Sequence, residues 1–199
     1  RVLYDAMHGA AGGWFDVLLR SLGVDVAGLR VEPDAHFGGG QPDPVGPRIG
    51  PLIARMRSCT GLVLGIANDG DGDRVGVVDG RGRVLSETQV LALLVDHLAE
   101  TGRIARGVAI GVATGSLVEK VARARGLAVE RHAVGFKHLS RALLAGRVDV
   151  AGEESGGFAL AAMGPDKDGL LAGLLLVELV AQTRRPLEDR LDLLEARFG

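Results

Sequence analysis

The chain has 199 residues, 47% of them hydrophobic, with a formal net charge of −2 and a pI near 6.2. That balance excludes a disordered chain and gives none of the basic footprint that nucleic-acid binding requires. No apolar run reaches the roughly 18–20 residues of a membrane span, residues 170–181 being broken by Gly173 and Glu178, so no membrane partner is expected either. The opening RVLYDAMHGA has neither a basic leader nor a sustained apolar core, so it is not expected to be a signal peptide. It starts on a strand-like run without Met and reads as an excised piece of a longer protein. Cys59 is the single cysteine, which excludes an internal disulfide and a multi-cysteine zinc site. It fits a reducing compartment, and a cytoplasmic location is expected.

Residues 2–4 open a short buried strand. Residues 12–22 carry Trp14, Val17, Leu18 and Leu22 as a helical stripe ended by Gly23. A second strand is expected over 24–31, then a long Gly/Pro-rich loop over 33–47 and a helix over 48–57. Residues 61–67 form a buried strand with an aspartate run at its end, and 75–79 resume extended structure before a tight turn at 79–82. After Ser86, a plausible N-cap, the pattern restarts with a helix over 87–100. A strand over 107–113, a helix over 116–125 and a strand over 127–132 follow. Residues 137–144 read as helix, 148–152 and 158–163 as strands, and 169–182 and 187–198 as helices.

Residues 2–31 and 108–132 share one plan: strand, glycine-bearing turn, helix, Gly-Val or Gly-Leu, strand. The expected fold is therefore α/β. It consists of two similar domains, 1–86 and 87–199, with mixed, mainly parallel sheets flanked by helices and functional loops at the strands' C-terminal ends.

The aspartate run reads IANDGDGDRV, with Asp69, Asp71 and Asp73 at alternate positions and Arg74 closing it. At 4–6 Å and an effective dielectric of about 20, each pair of carboxylates repels by roughly 3–4 kcal/mol. A cation among them removes that cost. Glycines between them let the backbone curl so that the carboxylates converge, and three hard oxygen ligands suit Mg²⁺. An EF-hand loop also begins D-x-D-x-D, but its glycine position here is Arg74 and its closing glutamate is Gly80, so that reading fails. Asp71–Val75 also matches the D-x-D-x-[TV] of haloacid-dehalogenase phosphatases, although Asn68–Gly70 separate it from the strand. A solvated acidic turn is the plain alternative.

Residues 151–158, AGEESGGF, follow an apolar strand and offer two carboxylates and a hydroxyl between glycines, a set suited to sugar hydroxyls or to an ordinary polar hairpin. In VGFKH, Lys137 stands at a helix start, where backbone N–H groups and an ammonium can bind an anion, or is simply a surface lysine. In DKDG, Lys167 precedes a long helix that Asp168 could cap. Arginine outnumbers lysine 20 to 3, and two of the three lysines fall in these two loops.

In this order these motifs resemble the α-D-phosphohexomutase superfamily, nearest the bacterial phosphoglucomutase/phosphomannomutase enzymes. The resemblance runs from DAMHGA through His36-Phe-Gly-Gly39, DGDGDR, VGFKH and GEESGG to DKDG, and the chain looks like the second and third of four domains. It implies that Asp69, Asp71 and Asp73 hold Mg²⁺ and that Arg74 lies near the transferred phosphoryl group. Glu153 and Ser155, with Gly152 and Gly135, would bind the sugar, Lys137 and Lys167 would face the phosphosugar, and Lys167 is a candidate acid/base. The implied reaction interconverts hexose 1-phosphate and hexose 6-phosphate through a phosphoserine and a hexose bisphosphate, with glucose the first expected sugar and mannose the second. The phosphoserine loop of the T-A-S-H-N-P kind and the phosphate-binding loop of the fourth domain are absent here, so these 199 residues alone are expected to be inactive. Some relatives carry histidine where this chain has Gly157. The rival reading is a metal and phosphosugar binding module without turnover.

Overall fold

A computed structural model describes residues 1–199, which divide into two compact units. The first comprises residues 1–85 and 169–189, the second residues 86–168 and 190–199.

In the first unit, β1 (Val2–Asp5), β2 (Val26–Leu29), β3 (Leu64–Asn68), β4 (Val75–Val78) and β5 (Val84–Leu85) form one sheet in the order β2-β1-β3-β4-β5. β1 runs parallel to β2 and β3, whereas β4 is antiparallel to β3 and β5. Side chains alternate across the pleat. Leu3 and Ala67 join Leu52 and Met56 of α2 (Gly50–Met56) in one buried cluster. Tyr4 points the other way and meets Phe15 of α1 (Phe15–Ser21) edge-on at 5.0 Å.

The stripe read from residues 14–22 is not the buried face of α1. Phe15 and Leu19, one turn apart, fill the core, while Trp14 stands 76% exposed with Val17, Leu18 and Leu22 also in solvent. Both faces of this short helix carry apolar residues, so periodicity could not choose between them.

The second unit repeats the plan. β6 (Gly107–Gly111), β7 (Ala128–His132), β8 (Val150–Gly152) and β9 (Phe158–Leu160) lie in the order β7-β6-β8-β9, with β6 parallel to β7 and β8 and β9 antiparallel to β8. Ala109, Ala151 and Ala159 pack under α5 (Phe136–Leu144). Gly152 faces Leu91 of α3 (Glu87–Glu100), which lies beside α4 (Ser116–Ala124). Ser86 caps α3, as the sequence suggested, and does so in a reciprocal capping box with Gln89. α7 (Leu187–Phe198) closes the chain. The repeat thus extends past the strand–helix–strand read from sequence. In each unit the third strand turns into an antiparallel fourth, and each of those turns carries one of the glycine-rich acidic motifs.

One helix departs from the expected partition at residue 86. α6 (Gly169–Thr183) packs on β3 and β4 of the first unit, with Gly173 against Phe15 and Ile66. Ala172, Leu175, Leu176 and Leu179 are all buried. A helix apolar on most sides must be covered on most sides. No helix of the chain is long and apolar enough to cross a membrane.

Candidate functional sites: the Asp loop and the Glu-Ser loop

Asp69 begins the turn between β3 and β4. The turn closes on itself through Gly72 N donating to Asp69 O, and Gly72 takes the left-handed φ of +79° that suits glycine. Neighbouring segments hold it from three sides. Ala10 N donates to Gly70 O, Gly70 N donates to Pro42 O, and Gly169 N, at the start of α6, donates to Gly72 O. The Asn68 amide reaches across to Arg74 O at 2.8 Å.

The effect is convergence: one carboxylate oxygen from each of Asp69, Asp71 and Asp73 lies within 4.8 Å of the other two. Asp69 is buried, Asp73 half-buried and Asp71 exposed. Three anionic oxygens at this spacing, open on one side, fit a hard divalent cation that keeps positions for water or a phosphate oxygen. The haloacid-dehalogenase alternative is overturned: its first aspartate would be Asp71, two residues into an exposed turn, and the family comparison below excludes it.

Arg74 is the loop's own counter-charge. Its backbone N and Nε donate to the two oxygens of Asp69 at 3.0 and 2.6 Å, and its Nη1 donates to Asp43 at 2.8 Å. Burial is the largest influence on the Asp69 carboxyl and pushes it above the usual carboxylate range, outweighing Arg74. Burial pulls the Arg74 guanidinium down, but hydrogen bonding to Asp69 and the charges of Asp69, Asp43 and Asp73 more than offset it, so Arg74 stays charged. Sequence reasoning missed Asp43. The only signal was an acid between two prolines in the 33–47 loop.

In the second unit, the turn between β8 and β9 sorts its two glutamates to different sides. The Glu153 carboxylate accepts from Ser155 Oγ at 2.7 Å, and the turn closes through Glu153 N donating to Gly157 O. Glu154 instead buries Oε2 without a partner, next to Gly111 at the end of β6. Lys167 lies alongside Gly157: a Cβ there would meet Lys167 Cδ at 2.5 Å and Glu153 Oε1 at 3.2 Å. A side chain at 157 would require the lysine stem to shift. The Lys167 Nζ then reaches 5.9 Å from the centre of the Phe136 ring, a cation–π contact at the start of α5. Lys137 is the next residue, exposed, and Gly135 before it has φ +115°. Lys167 thus lies beside the turn that carries Gly152, Glu153 and Ser155 and over Phe136, the residue between Gly135 and Lys137, while Asp69, Asp71, Asp73 and Arg74 belong to the other unit.

Two family profiles match the chain. The phosphoglucomutase/phosphomannomutase α/β/α domain II covers residues 1–82, and domain III of the same family covers residues 86–198. A phosphoglucosamine mutase from Renibacterium salmoninarum is 35% identical over 190 residues, which is 94% of this chain and 41% of that protein. One from Acidothermus cellulolyticus is 35% identical over 193 residues, 95% of this chain and 41% of that protein. A solved structure from Thermus thermophilus, assigned as a phosphomannomutase, superposes with a TM-score of 0.89 at 34% identity, covering 98% of this chain and 45% of that one. The chain spans about two fifths of the length of the curated relatives it matches.

Proposed function

The chain belongs to the phosphoglucomutase/phosphomannomutase family, within the α-D-phosphohexomutase superfamily, and from that premise we propose that it forms the central domains of an Mg²⁺-dependent phosphohexomutase. The observation that carries this reading is the convergence of Asp69, Asp71 and Asp73 beside Arg74 on a turn within the matched domain. The whole enzyme interconverts hexose 1-phosphate and hexose 6-phosphate. Further domains of the same enzyme supply a phosphoserine and a phosphate-binding loop, and the enzyme works in the cytoplasm.

Asp69, Asp71 and Asp73 would hold Mg²⁺, which when bound offsets the charge spread over the phosphoryl oxygens. Arg74 donates to one of those oxygens. Glu153 accepts from sugar hydroxyls, Ser155 donates and accepts, and Gly152 and Gly135 let backbone come close. Lys137 pairs with the anionic end of the phosphosugar. Lys167 is the candidate acid/base. As the neutral amine, its Nζ takes the proton of the attacking sugar hydroxyl while that oxygen forms a bond to phosphorus and the bond from phosphorus to serine breaks. As the ammonium it returns the proton in the reverse step. The bisphosphate then turns over, and its other phosphoryl group returns to the serine.

From sequence, glucose stood first and mannose second. The curated relatives at 32–35% identity are named for glucosamine, which moves glucosamine phosphate to the front. In the full-length enzyme, kcat/KM should be highest for glucosamine phosphate among the three sugars. A higher value for glucose would reverse that order, and conversion of none would end the proposal.

The two glutamates give a sharper test. Glu153 stands with Ser155, whereas Glu154 turns toward Gly111. Glu153→Gln should cost about 1–3 kcal/mol in kcat/KM, the range for a charge-assisted hydrogen bond, and Glu154→Gln clearly less. A larger loss in the Glu154 variant would show that the sugar faces the other side of the turn.

A further inference from the structure

Asp43 sits in the Gly/Pro-rich segment between β2 and α2, thirty-one residues before Arg74 in the chain. Its two oxygens serve two arginines: Oδ1 accepts from Arg74 Nη1 at 2.8 Å and Oδ2 from Arg48 Nη1 at 2.5 Å. Arg48 is anchored in turn, donating to Gln41 Oε1, while its backbone O accepts from Arg30. Arg74 is therefore held at two points of its planar fork, Nε by Asp69 and Nη1 by Asp43. One contact to a guanidinium leaves it free to swing about that contact. Two fix the plane. Arg74 Nη2 makes no hydrogen bond within the chain and the side chain is 29% exposed, which leaves the Nη2 donors for an oxyanion.

We propose that Asp43 is a positioning residue for Arg74, orienting the guanidinium so that Nη2 presents its donors to the phosphoryl group being transferred. This rests on the functional reading given above. Arg48 pairs with the other oxygen of Asp43, so Arg48→Ala should leave the Asp43–Arg74 contact in place.

The test uses the full-length enzyme. Asp43→Asn should lower kcat 10- to 100-fold while the KM for sugar phosphate stays within about threefold, because the sugar is bound elsewhere. Arg48→Ala should lower kcat less than threefold. Asp43→Asn combined with Arg74→Ala should be no slower than Arg74→Ala alone, since the two act as one unit. A crystal structure of the Asp43→Asn protein should show the Arg74 guanidinium turned away from its present orientation. Equal losses from Asp43→Asn and Arg48→Ala, or multiplying losses in the double variant, would reduce Asp43 to a structural clamp. Should the parent enzyme turn over no hexose phosphate, the functional proposal fails. The orientation of Arg74 in the Asp43→Asn crystal then decides this inference, and an unmoved guanidinium overturns it.

Discussion

Replacing Asp71 by Asn should weaken Mg²⁺ binding at least tenfold and lower kcat by about 2–4 kcal/mol in barrier, with little change in melting temperature. Asp71 is the member of the trio that isolates this effect. Its carboxylate is exposed and makes no hydrogen bond or ion pair within the chain, so the fold loses nothing with its charge. Asp69 is unsuitable because both its oxygens hold Arg74, and Asn there would disturb the arginine as well as the metal. Calorimetry giving the same Mg²⁺ affinity in variant and parent would remove the metal from this turn.

Gly169→Ala should be among the most damaging single methyls in the first unit, and the one that bears directly on Arg74. A Cβ at 169 would lie 2.3 Å from Arg74 O and 2.6 Å from Arg74 C. Those are backbone atoms and cannot rotate aside as a side-chain tip could. Either α6 lifts off β3 and β4, or the turn bearing Arg74 shifts. Overpacking of this kind costs about 1–3 kcal/mol. The same displacement moves Arg74, so kcat should fall at least tenfold even at temperatures where the variant is folded. Scanning calorimetry and a turnover assay on the same preparation separate the two effects. A variant with the parent's melting temperature and kcat would mean that the helix start and the turn are not in contact as described.

Much of the fold was legible because its signals are local. Ser86 at its helix start, the apolar runs at 64–67 and 107–110, and the glycines at 23 and 126 mark their elements without reference to anything distant. The duplication was legible for the same reason, each half opening strand, turn, helix, strand. What escaped was set by contacts across the chain. The return of α6 to the first unit depends on Gly173 meeting Phe15 and Ile66, more than one hundred residues earlier. The outward stripe on α1 could not be told from its core face, since Phe15 and Leu19 are as apolar as Trp14 and Leu18.

The candidate sites divide the same way. The aspartates and the GEESGG turn were visible because each is contiguous. Asp43 was not, because its meaning lies in an arginine thirty-one positions away. Nor could sequence show that the stem of Lys167, from another loop, lies where a side chain at 157 would begin.

The most direct test of the account is a phosphorus NMR time course on the full-length enzyme with a hexose 1-phosphate, in Mg²⁺ and again after chelation. In Mg²⁺ the 1-phosphate signal should give way to that of the 6-phosphate, the exchange should stop on chelation, and Asp71→Asn should reproduce the chelated state. A 1-phosphate signal that persists in Mg²⁺ with glucosamine, glucose and mannose alike, or conversion indifferent to chelation, would contradict it.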